Sequence, residues 1–425
     1  MLRGIWSRRP LLGWALYDWA NSAFSLSVIT AFVPVMLAEY WADGSATTVT
    51  TFRLGLANSV ASLVVACMAP VIGAIADRAG RRKGFLIVFA ALGIIMTGSL
   101  SLVAAGMWPV ALLCYVAASI GFAGGNVFYD SLLIDVTEPA HLDEVSALGF
   151  GLGYIGGALL FTLNLVMVAQ PALFGLASAA DAIRVAFVLV AVWWAVFSLP
   201  LLLWVREPEN DKVAGPAAIT AGLKQLVNTL AHVRSQRNLF IFLCAYWLYI
   251  DGVDTIIRMA GDYGLAIGLD RQDVIGALLA ANYVGFPAAI GFGWIGKRFG
   301  PRQGIYLALI VYIVATFAAV FITSATGFFA LAVTIGLVQG GVQSLSRSFY
   351  ARLIPRGQSA EFFGFYNMLG KFAAIIGPML TGTVALAFGS QRVGILSILI
   401  LFGLGFYLLT RVESHGAAET SAPLQ

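Results

Sequence analysis

Long apolar stretches, separated by short polar breaks, follow one another along almost the whole chain. A helix needs about 20 predominantly apolar residues to cross the hydrocarbon core of a bilayer, and residues 84–129 contain no charged side chain. The pattern therefore predicts an all-α polytopic membrane protein. Its twelve transmembrane helices are expected at residues 12–40, 53–76, 84–105, 108–133, 144–169, 182–204, 239–266, 273–296, 303–323, 327–350, 361–388 and 391–411.

The seventh of these stretches carries four ionisable residues in an apolar setting: Asp251, Asp254, Arg258 and Asp262. Their spacing places all four side chains within about 80° of one helix face. A charge at the bilayer centre costs about 2.5–3.5 kcal/mol on insertion scales, so we expect this face to line a water-filled path between helices. Asp254 and Arg258 are one helical turn apart and are predicted to pair.

The chain also repeats itself. Residues 14–22 form a weaker copy of the polar stretch and align with residues 247–255. Three further matches occur in the same order and pair Gly73 with Gly293, Gly124-Gly125 with Gly340-Gly341, and Glu144 with Glu361. We therefore expect two six-helix halves, residues 1–205 and 239–413, related as a parallel pseudo-repeat. Residues 206–238 are predicted to be a cytoplasmic linker with a short amphipathic helix at 217–230, and residues 414–425 a disordered tail.

Composition excludes a soluble protein, because 60% of the residues are hydrophobic and only 11% are charged, against about 25% in soluble domains. The net charge of +4 is dispersed among loops, so we expect no nucleic-acid partner. Cys67, Cys114 and Cys244 all fall in apolar segments and are predicted to be free thiols.

Basic residues set the orientation. If the N-terminus lies inside, the cytoplasmic segments hold 19 of the 25 Lys and Arg, among them Arg347, Arg352 and Arg356, whereas the outer segments hold only Arg53, Arg184, Arg271 and Arg392. Lys and Arg are enriched in cytoplasmic loops. Both termini are therefore expected in the cytoplasm of a protein in the inner membrane.

The break between spans two and three has the pattern Gly-x-x-x-Asp-Arg-x-Gly-Arg-Arg-Lys, formed by Gly73, Asp77, Arg78, Gly80, Arg81, Arg82 and Lys83. It resembles the signature loop of the major facilitator superfamily at every defined position. The resemblance implies that the loop governs conformational switching and that Asp77 lies at the positive N-terminal end of span eleven. The second copy has Lys297 in place of Asp77, so an acid-dependent latch is expected only in the first half. A basic loop that merely sets topology is the alternative.

Four motifs give a narrower resemblance: residues 17–24, 251–255, 344–348 and 360–364. They are similar to the vacuole-effluxer branch of the superfamily, whose fungal members are autophagy-related proteins associated with the return of amino acids from the vacuole. The resemblance implies a permease or exporter that works by alternating access.

In that superfamily spans one, four, seven and ten line the central cavity. The polar side chains expected along the substrate and ion pathway are Asp18, Asn21, Asn126, Tyr129, Asp130, Asp251, Asp254, Arg258 and Gln343, with Lys371 on span eleven. Burial favours the uncharged form of a carboxyl group, so the acids that lack an evident partner, Asp18, Asp130 and Asp251, are candidates for proton coupling. A structural carboxylate satisfied by neighbouring donors is the alternative for each.

These observations predict a secondary active transporter for a small polar solute, an amino acid or related metabolite, with protons as the coupling ion. Efflux of drugs or toxic metabolites is a second possibility, and a membrane scaffold or lipid translocator a third. No phosphate-binding loop or metal-ligand cluster is evident, and the three His residues fall in predicted loops or the tail. We therefore expect no enzyme activity, no cofactor and no metal, and a chain that works as a monomer.

Overall fold

The computed structural model describes residues 8–42, 44–207, 236–355 and 357–413, together with residues 224, 226 and 229. In this part of the chain twelve helices are long and apolar enough to cross a membrane, so the predicted all-α fold is confirmed. The helices, called spans 1 to 12 below, are Arg9–Trp41, Thr48–Ala79, Arg82–Leu102, Trp108–Val136, Pro139–Ala169, Ala179–Trp204, Arg237–Ala266, Arg271–Phe299, Pro301–Ala319, Ala325–Leu353, Ser359–Phe388 and Gln391–Thr410. Apart from those three residues, the predicted linker helix at 217–230 lies outside the described residues, as does the tail at 414–425.

Several spans combine different helical geometries. Span 1 is α-helical over Arg9–Ala23 and then contains two π-helical segments, Phe24–Phe32 and Leu37–Trp41. Span 12 is interrupted at Ser397, between Gln391–Leu396 and Ile398–Thr410. Short 3₁₀ segments occur at the end of span 3, at the start of span 5 and in the connection to span 6, at Leu100–Leu102, Pro139–His141 and Pro171–Phe174.

The turns that follow spans 2 and 8 both depend on glycine. Gly80 ends span 2 in the left-handed conformation with φ of 59°, and Gly300 follows span 8 with φ of 94°. A side chain is disfavoured in this region, whereas glycine enters it without steric cost. The two turns stand at equivalent points of the pseudo-repeat.

Glycines of span 5 let it approach span 1 closely. A Cβ atom on Gly156 would lie 2.7 Å from the ring of Trp19, and one on Gly153 would lie 2.7 Å from Ser22 Oγ. Small residues at helix interfaces of membrane proteins allow this kind of packing. Span 5 is thereby fixed against the polar part of span 1.

One cluster of buried hydrophobic residues has members in both the first half (spans 1–6) and the second half (spans 7–12). It contains Leu11, Ala76 and Val205 as well as Leu239, Phe362 and Val412. These residues lie near the membrane boundary that carries the loop at residues 78–83, which we call the loop end. Toward the opposite end, separate clusters are centred in the first half, around Trp41 and Phe187, and in the second half, around Tyr263 and Phe328.

Spans 5 and 10 extend further toward the loop end than the hydrophobic pattern predicted. Span 10 continues to Leu353 and contains both Arg347 and Arg352, and Arg347 is only 2% exposed. Arg347 therefore lies inside span 10, as the predicted bounds 327–350 require, although it was also counted among the cytoplasmic basic residues. This arginine tolerates burial because acidic and hydroxyl partners from the other half surround it, as described below.

Candidate functional site

A cavity of about 200 Å³ lies between the two halves. Residues of spans 1, 4, 5, 7, 10 and 11 line it, and these are Asp18, Asn126, Tyr129, Asp130, Phe150, Tyr246, Ile250, Asp254, Gln343, Arg347, Tyr366, Asn367, Gly370 and Lys371. Seven of the ten side chains predicted for the pathway are therefore brought together. The other three, Asn21, Asp251 and Arg258, lie outside this lining.

Asp18 lies on the first-half side of the cavity and meets neutral donors. Its two carboxylate oxygens accept hydrogen bonds from Tyr129 OH at 3.2 Å and from Ser22 Oγ at 3.4 Å. Trp14 stacks on the Tyr129 ring with 4.5 Å between centroids and donates from its Nε1 to the Tyr129 carbonyl. The hydroxyl that faces Asp18 is therefore held in place by the packing of span 1 on span 4.

Asn21 supports the cavity from behind. It is 2% exposed, and its Nδ2 donates to Oδ1 of Asn126 at 2.7 Å. Asn126 lines the cavity, so the pair fixes the orientation of one amide that faces it. On the second-half side Gln343 is held in a similar way, because its Oε1 accepts a 2.7 Å hydrogen bond from Tyr154 OH of span 5.

Asp130 is paired, which contradicts the prediction that it lacks a partner. Its Oδ1 accepts from Arg347 Nη1 at 2.9 Å, and its Oδ2 accepts from Asn367 Nδ2 at 3.0 Å. Both donors belong to the second half, on spans 10 and 11. Asp130 therefore ties the two halves together at the cavity wall.

The guanidinium of Arg347 also donates two hydrogen bonds to Ser146 of span 5. Its Nε donates to Ser146 Oγ and its Nη2 to the Ser146 carbonyl, both at 2.9 Å. The ring of Phe150 lies 4.2 Å from the guanidinium carbon. The spacing of four residues from Gln343 is the sequence signal that places Arg347 on the same helix face.

On the second-half side, Asp254 and Lys371 line the cavity together. The charges that act on Asp254 are those of Arg258 and Lys371. The predicted Asp254–Arg258 ion pair is not formed: none of the ion pairs within 4.0 Å among the described residues joins them, and Arg258 is exposed. A spacing of four residues brings two side chains to the same face of a helix, but it does not fix their rotamers.

Asp251 was predicted to be an unpaired cavity acid, and this is wrong. It is 1% exposed, and its Oδ1 accepts from the Gly377 amide at 2.8 Å and from Thr255 Oγ1 at 3.5 Å. Gly377 precedes Pro378 inside span 11. Because Asp251 precedes Asp254 by three residues, its side chain is rotated by roughly 60° about the helix axis from that of Asp254. It therefore meets span 11 instead of the cavity.

The signature loop contacts the start of span 11 through Asp77. Its two oxygens accept from the amides of Ala360 at 3.2 Å and Glu361 at 2.9 Å, in the first turn of that helix. An acidic group is favourable there because these amides have no partner inside the helix and the helix dipole is positive. Asp77 thus has the position that the resemblance implied.

Arg82 is the buried arginine of the loop, with its side chain 6% exposed. It forms an ion pair with Asp135 at 2.8 Å and lies 3.8 Å from both Asp77 and Glu207. It also donates to Ser359 Oγ at the start of span 11. Arg78 and Arg81, in contrast, are exposed. Asp77 and Arg82 of the loop therefore form contacts between the halves, whereas Arg78 and Arg81 lie at the surface.

No group of three or more His, Cys, Asp or Glu side chains that could hold a metal ion occurs among the described residues. The three cysteines, which all lie in the described part of the chain, are free as predicted. The polar chemistry of the cavity is therefore that of carboxylates, amides, hydroxyls and two cations.

Comparisons with known proteins give the family of the chain. The family described as "Vacuole effluxer Atg22 like" matches residues 44–140 and 134–421. The chain belongs to this family. It is 36% identical over 411 residues to the uncharacterized MFS-type transporter YxiO of Bacillus subtilis (strain 168), with 96% of each chain covered. It is 25% identical over 336 residues to autophagy-related protein 22 of Yarrowia lipolytica, covering 70% of this chain and 55% of that protein. The chain thus spans about half the length of several fungal members of the family.

Solved structures show the same fold. The proton:xylose symporter XylE has a TM-score of 0.68 at 12% identity and covers 95% of this chain and 94% of its own. The human organic anion transporter MFSD10 has a TM-score of 0.70 at 15% identity, covering 94% and 98%. Together with the family, these likenesses make the chain a membrane transporter of the major facilitator superfamily that works on a small-molecule substrate within the lipid bilayer.

Proposed function

We propose that the chain is a proton-coupled secondary transporter for small zwitterionic solutes of the amino-acid class. The observation that carries the proposal is the distribution of charge around the cavity. One side has an acid without a cationic partner, and the other side has two cations around one acid.

The first-half side has an excess of negative charge. Asp130 is neutralised by Arg347, whose hydrogen bonds are all directed to Asp130 and Ser146. Asp18 accepts only from the hydroxyls of Tyr129 and Ser22, and no ion pair within 4.0 Å joins it to another described residue. A carboxylate in such a site favours a cationic group, and an ammonium ion offers three donors.

The second-half side has an excess of positive charge. Arg258 and Lys371 both act on Asp254, and their charges also repel one another. Arg258 and Asp251 both lie outside the cavity lining, but the charge of Arg258 acts on Asp254 and Lys371, whereas Asp251 is turned to span 11 and accepts the Gly377 amide. A carboxylate group next to Lys371 would relieve the repulsion between the two cations. A zwitterion matches both sides at once.

Size also favours a small solute over a drug. Pockets for drug-sized ligands enclose about 300–1,000 Å³, whereas this cavity encloses about 200 Å³. Phe150, Tyr246 and Tyr366 add aromatic surface to the lining, which would accommodate an apolar side chain. The alternative of drug efflux would need a larger and less polar cavity.

We further propose that the chain acts as a monomer in the inner membrane with both termini in the cytoplasm. In that orientation the loop end, where the shared hydrophobic cluster includes residues of both halves, faces the cytoplasm. Single cysteines at Ser45 and Arg81 would test the orientation, since an impermeant thiol reagent should label only the former on intact cells.

The experiment that tests the substrate class uses the purified protein in detergent. A thermal-shift screen compares the standard amino acids with analogues that lack either the carboxylate or the ammonium group. We expect stabilisation only by ligands that carry both charges. In Lys371→Gln, ligands with a carboxylate should no longer stabilise the protein more than analogues without one. In Arg258→Lys that difference in stabilisation should remain, because the change retains the charge. Equal stabilisation by lipophilic cations would support drug efflux and contradict the proposal.

A further inference from the structure

We infer that the coupling proton and the substrate's positive group bind in turn to one carboxylate, Asp18, so that transport is an exchange of solute for protons. This inference rests on the proposed function and adds its coupling mode and direction. With an inward proton gradient, such an exchanger expels its solute from the cell.

Three acids line the cavity, and they differ in how much positive charge acts on them. Asp130 is ion-paired with Arg347 and accepts from Asn367, and Asp254, which forms no ion pair within 4.0 Å with a described residue, is subject to the charges of both Arg258 and Lys371. Asp18 is subject to the positive charge of Arg347 alone, and that guanidinium is bonded to Asp130. A symporter of the same solute would need one acid for the ammonium group and another for the proton. The described cavity offers only Asp18 for both.

The groups that face Asp18 from each neighbouring element leave its cavity side open. Tyr17 and Ser22 belong to its own span, Tyr129 and Asp130 to span 4, Tyr154 to span 5 and Arg347 to span 10. On the side of span 5 the helix approaches so closely that a Cβ atom on Gly153 would lie 3.1 Å from Asp18 Oδ1. The fixed charges nearest to Asp18, those of Asp130 and Arg347, are opposite in sign and are bonded to each other.

In the proton-loaded form the Asp18 carboxyl is neutral, and the O–H bond removes the charge that attracts an ammonium group. When the solute enters, that O–H bond breaks, the proton leaves to water in the cavity, and an N–H of the ammonium group donates to the carboxylate instead. An ionised Asp18 without a bound proton or ammonium group is unfavourable away from water. The conformational change between the halves is therefore easier when Asp18 holds a proton or the solute than when it holds neither.

The test measures protons in a weakly buffered solution of the purified protein with a pH-indicator dye. A mixture of the standard amino acids, adjusted to the sample pH, is the added ligand. We expect about one proton released for each solute bound, and an affinity that weakens by up to about tenfold for each pH unit in the acidic range. Binding with proton uptake, or with no proton exchange, would overturn the inference and leave the zwitterion site intact. No binding at any pH would overturn the proposed function and this inference with it.

A matched pair of variants identifies the residue. Asp18→Asn keeps the shape of the side chain but cannot exchange a proton, so binding should be at least tenfold weaker and should release no proton. Asp262→Asn, an exposed acid at the far end of span 7, should release protons like the unmodified protein. Full proton release from a folded Asp18→Asn variant would assign the exchange to another group and refute the role of Asp18.

Discussion

The two halves meet at the loop end through two equivalent contacts, span 2 with span 11 and span 8 with span 5. Both depend on a glycine that lets backbones approach. A Cβ atom on Gly73 would meet the backbone of Ala360 and Glu361, and one on Gly293 would meet Ala147 and the backbone of Glu144. Close approach at a glycine therefore occurs in both halves, as a duplicated fold requires, and it is tighter at Gly73 than at Gly293.

The chemistry of the two contacts differs. In the first, Asp77 accepts two backbone amides of span 11, and the buried Arg82 adds ion pairs around it. In the second, Lys297 Nζ donates to Glu144 Oε2 at 2.7 Å, and His141 Nδ1 lies 2.9 Å from the same oxygen. Lys297 and His141 are 35% and 43% exposed. The second half thus has a closure of its own, an ion pair between a partly exposed lysine and Glu144, whose side chain is 8% exposed.

The difference indicates that backbone approach and polar closure are separate requirements. Water reaches the second contact through Lys297, which is 35% exposed, and ion pairs screened by water contribute about 0–1 kcal/mol. Hydrogen bonds to a charged group, as in the first contact, contribute about 1.5–3 kcal/mol. We therefore propose that the span 2–span 11 contact controls how readily the halves separate at the loop end. The span 8–span 5 contact then contributes less to the free energy of that separation. The following changes test this comparison.

The largest effect is expected from Gly73→Ala. The added methyl group would meet backbone atoms of span 11, which cannot move aside without separating the helices. Transport of the amino-acid mixture into proteoliposomes should fall at least tenfold. The distance between spin labels at Arg78 and Gln358, measured by double electron–electron resonance, should increase.

Two variants serve as matched controls for this change. Gly291→Ala on span 8 faces open space and should behave like the unmodified protein. Gly293→Ala should have an intermediate effect, because the nearest atom is the Ala147 Cβ and the backbone of Glu144 is 3.2 Å away. If Gly73→Ala transports as well as Gly291→Ala, the close approach is not needed for the cycle.

A smaller but still strong effect is expected from Asp77→Asn. The amide keeps one acceptor but loses the charge that favours the helix N-terminus, and its NH₂ group opposes one of the two backbone donors. Turnover should slow by about tenfold or more, while substrate affinity, measured by thermal shift, stays within a few-fold. Arg81→Gln, at an exposed position of the same loop, is the control. Normal turnover in Asp77→Asn would remove the loop from the switching mechanism.

Much of this arrangement could be predicted from the sequence. Hydrophobic length predicts the twelve spans, because the bilayer imposes it. The resemblance to the superfamily implies which spans line the cavity, and the helical spacing of polar residues on spans 1, 4 and 10 agrees with it. Asp77 was placed by the loop motif. These are properties of one helix or one turn, which the local sequence determines.

The remaining contacts depend on neighbours that are distant in the chain. Whether Asp130 is paired is decided by Arg347, 217 positions away, and Asp251 turns to the Gly377 amide, 126 positions away. Asn367 was missed because one asparagine in an apolar helix carries no periodic signal. Lys297 was recognised as a departure from the motif, but its partner Glu144 is found only when span 8 packs on span 5.

The smallest effect is expected from Lys297→Gln, and it sharpens the comparison most. The change removes the charge of the span 8–span 5 ion pair but leaves the Gly293 approach intact. Turnover should change by less than about threefold, because water screens the partly exposed lysine. The remaining effect should vanish at about 1 M salt, where the Debye length is about 3 Å and the ion pair of the unmodified protein is screened as well. Transport rates of both proteins at low and high salt, measured in the same proteoliposomes, check this.

His141 still contacts Glu144 in the variant, so Glu144→Gln, which removes the charged acceptor from both partners, should have a slightly larger effect. If Lys297→Gln instead slows turnover as much as Asp77→Asn, the two closures are equivalent in strength. The asymmetry of their chemistry would then have no mechanical consequence.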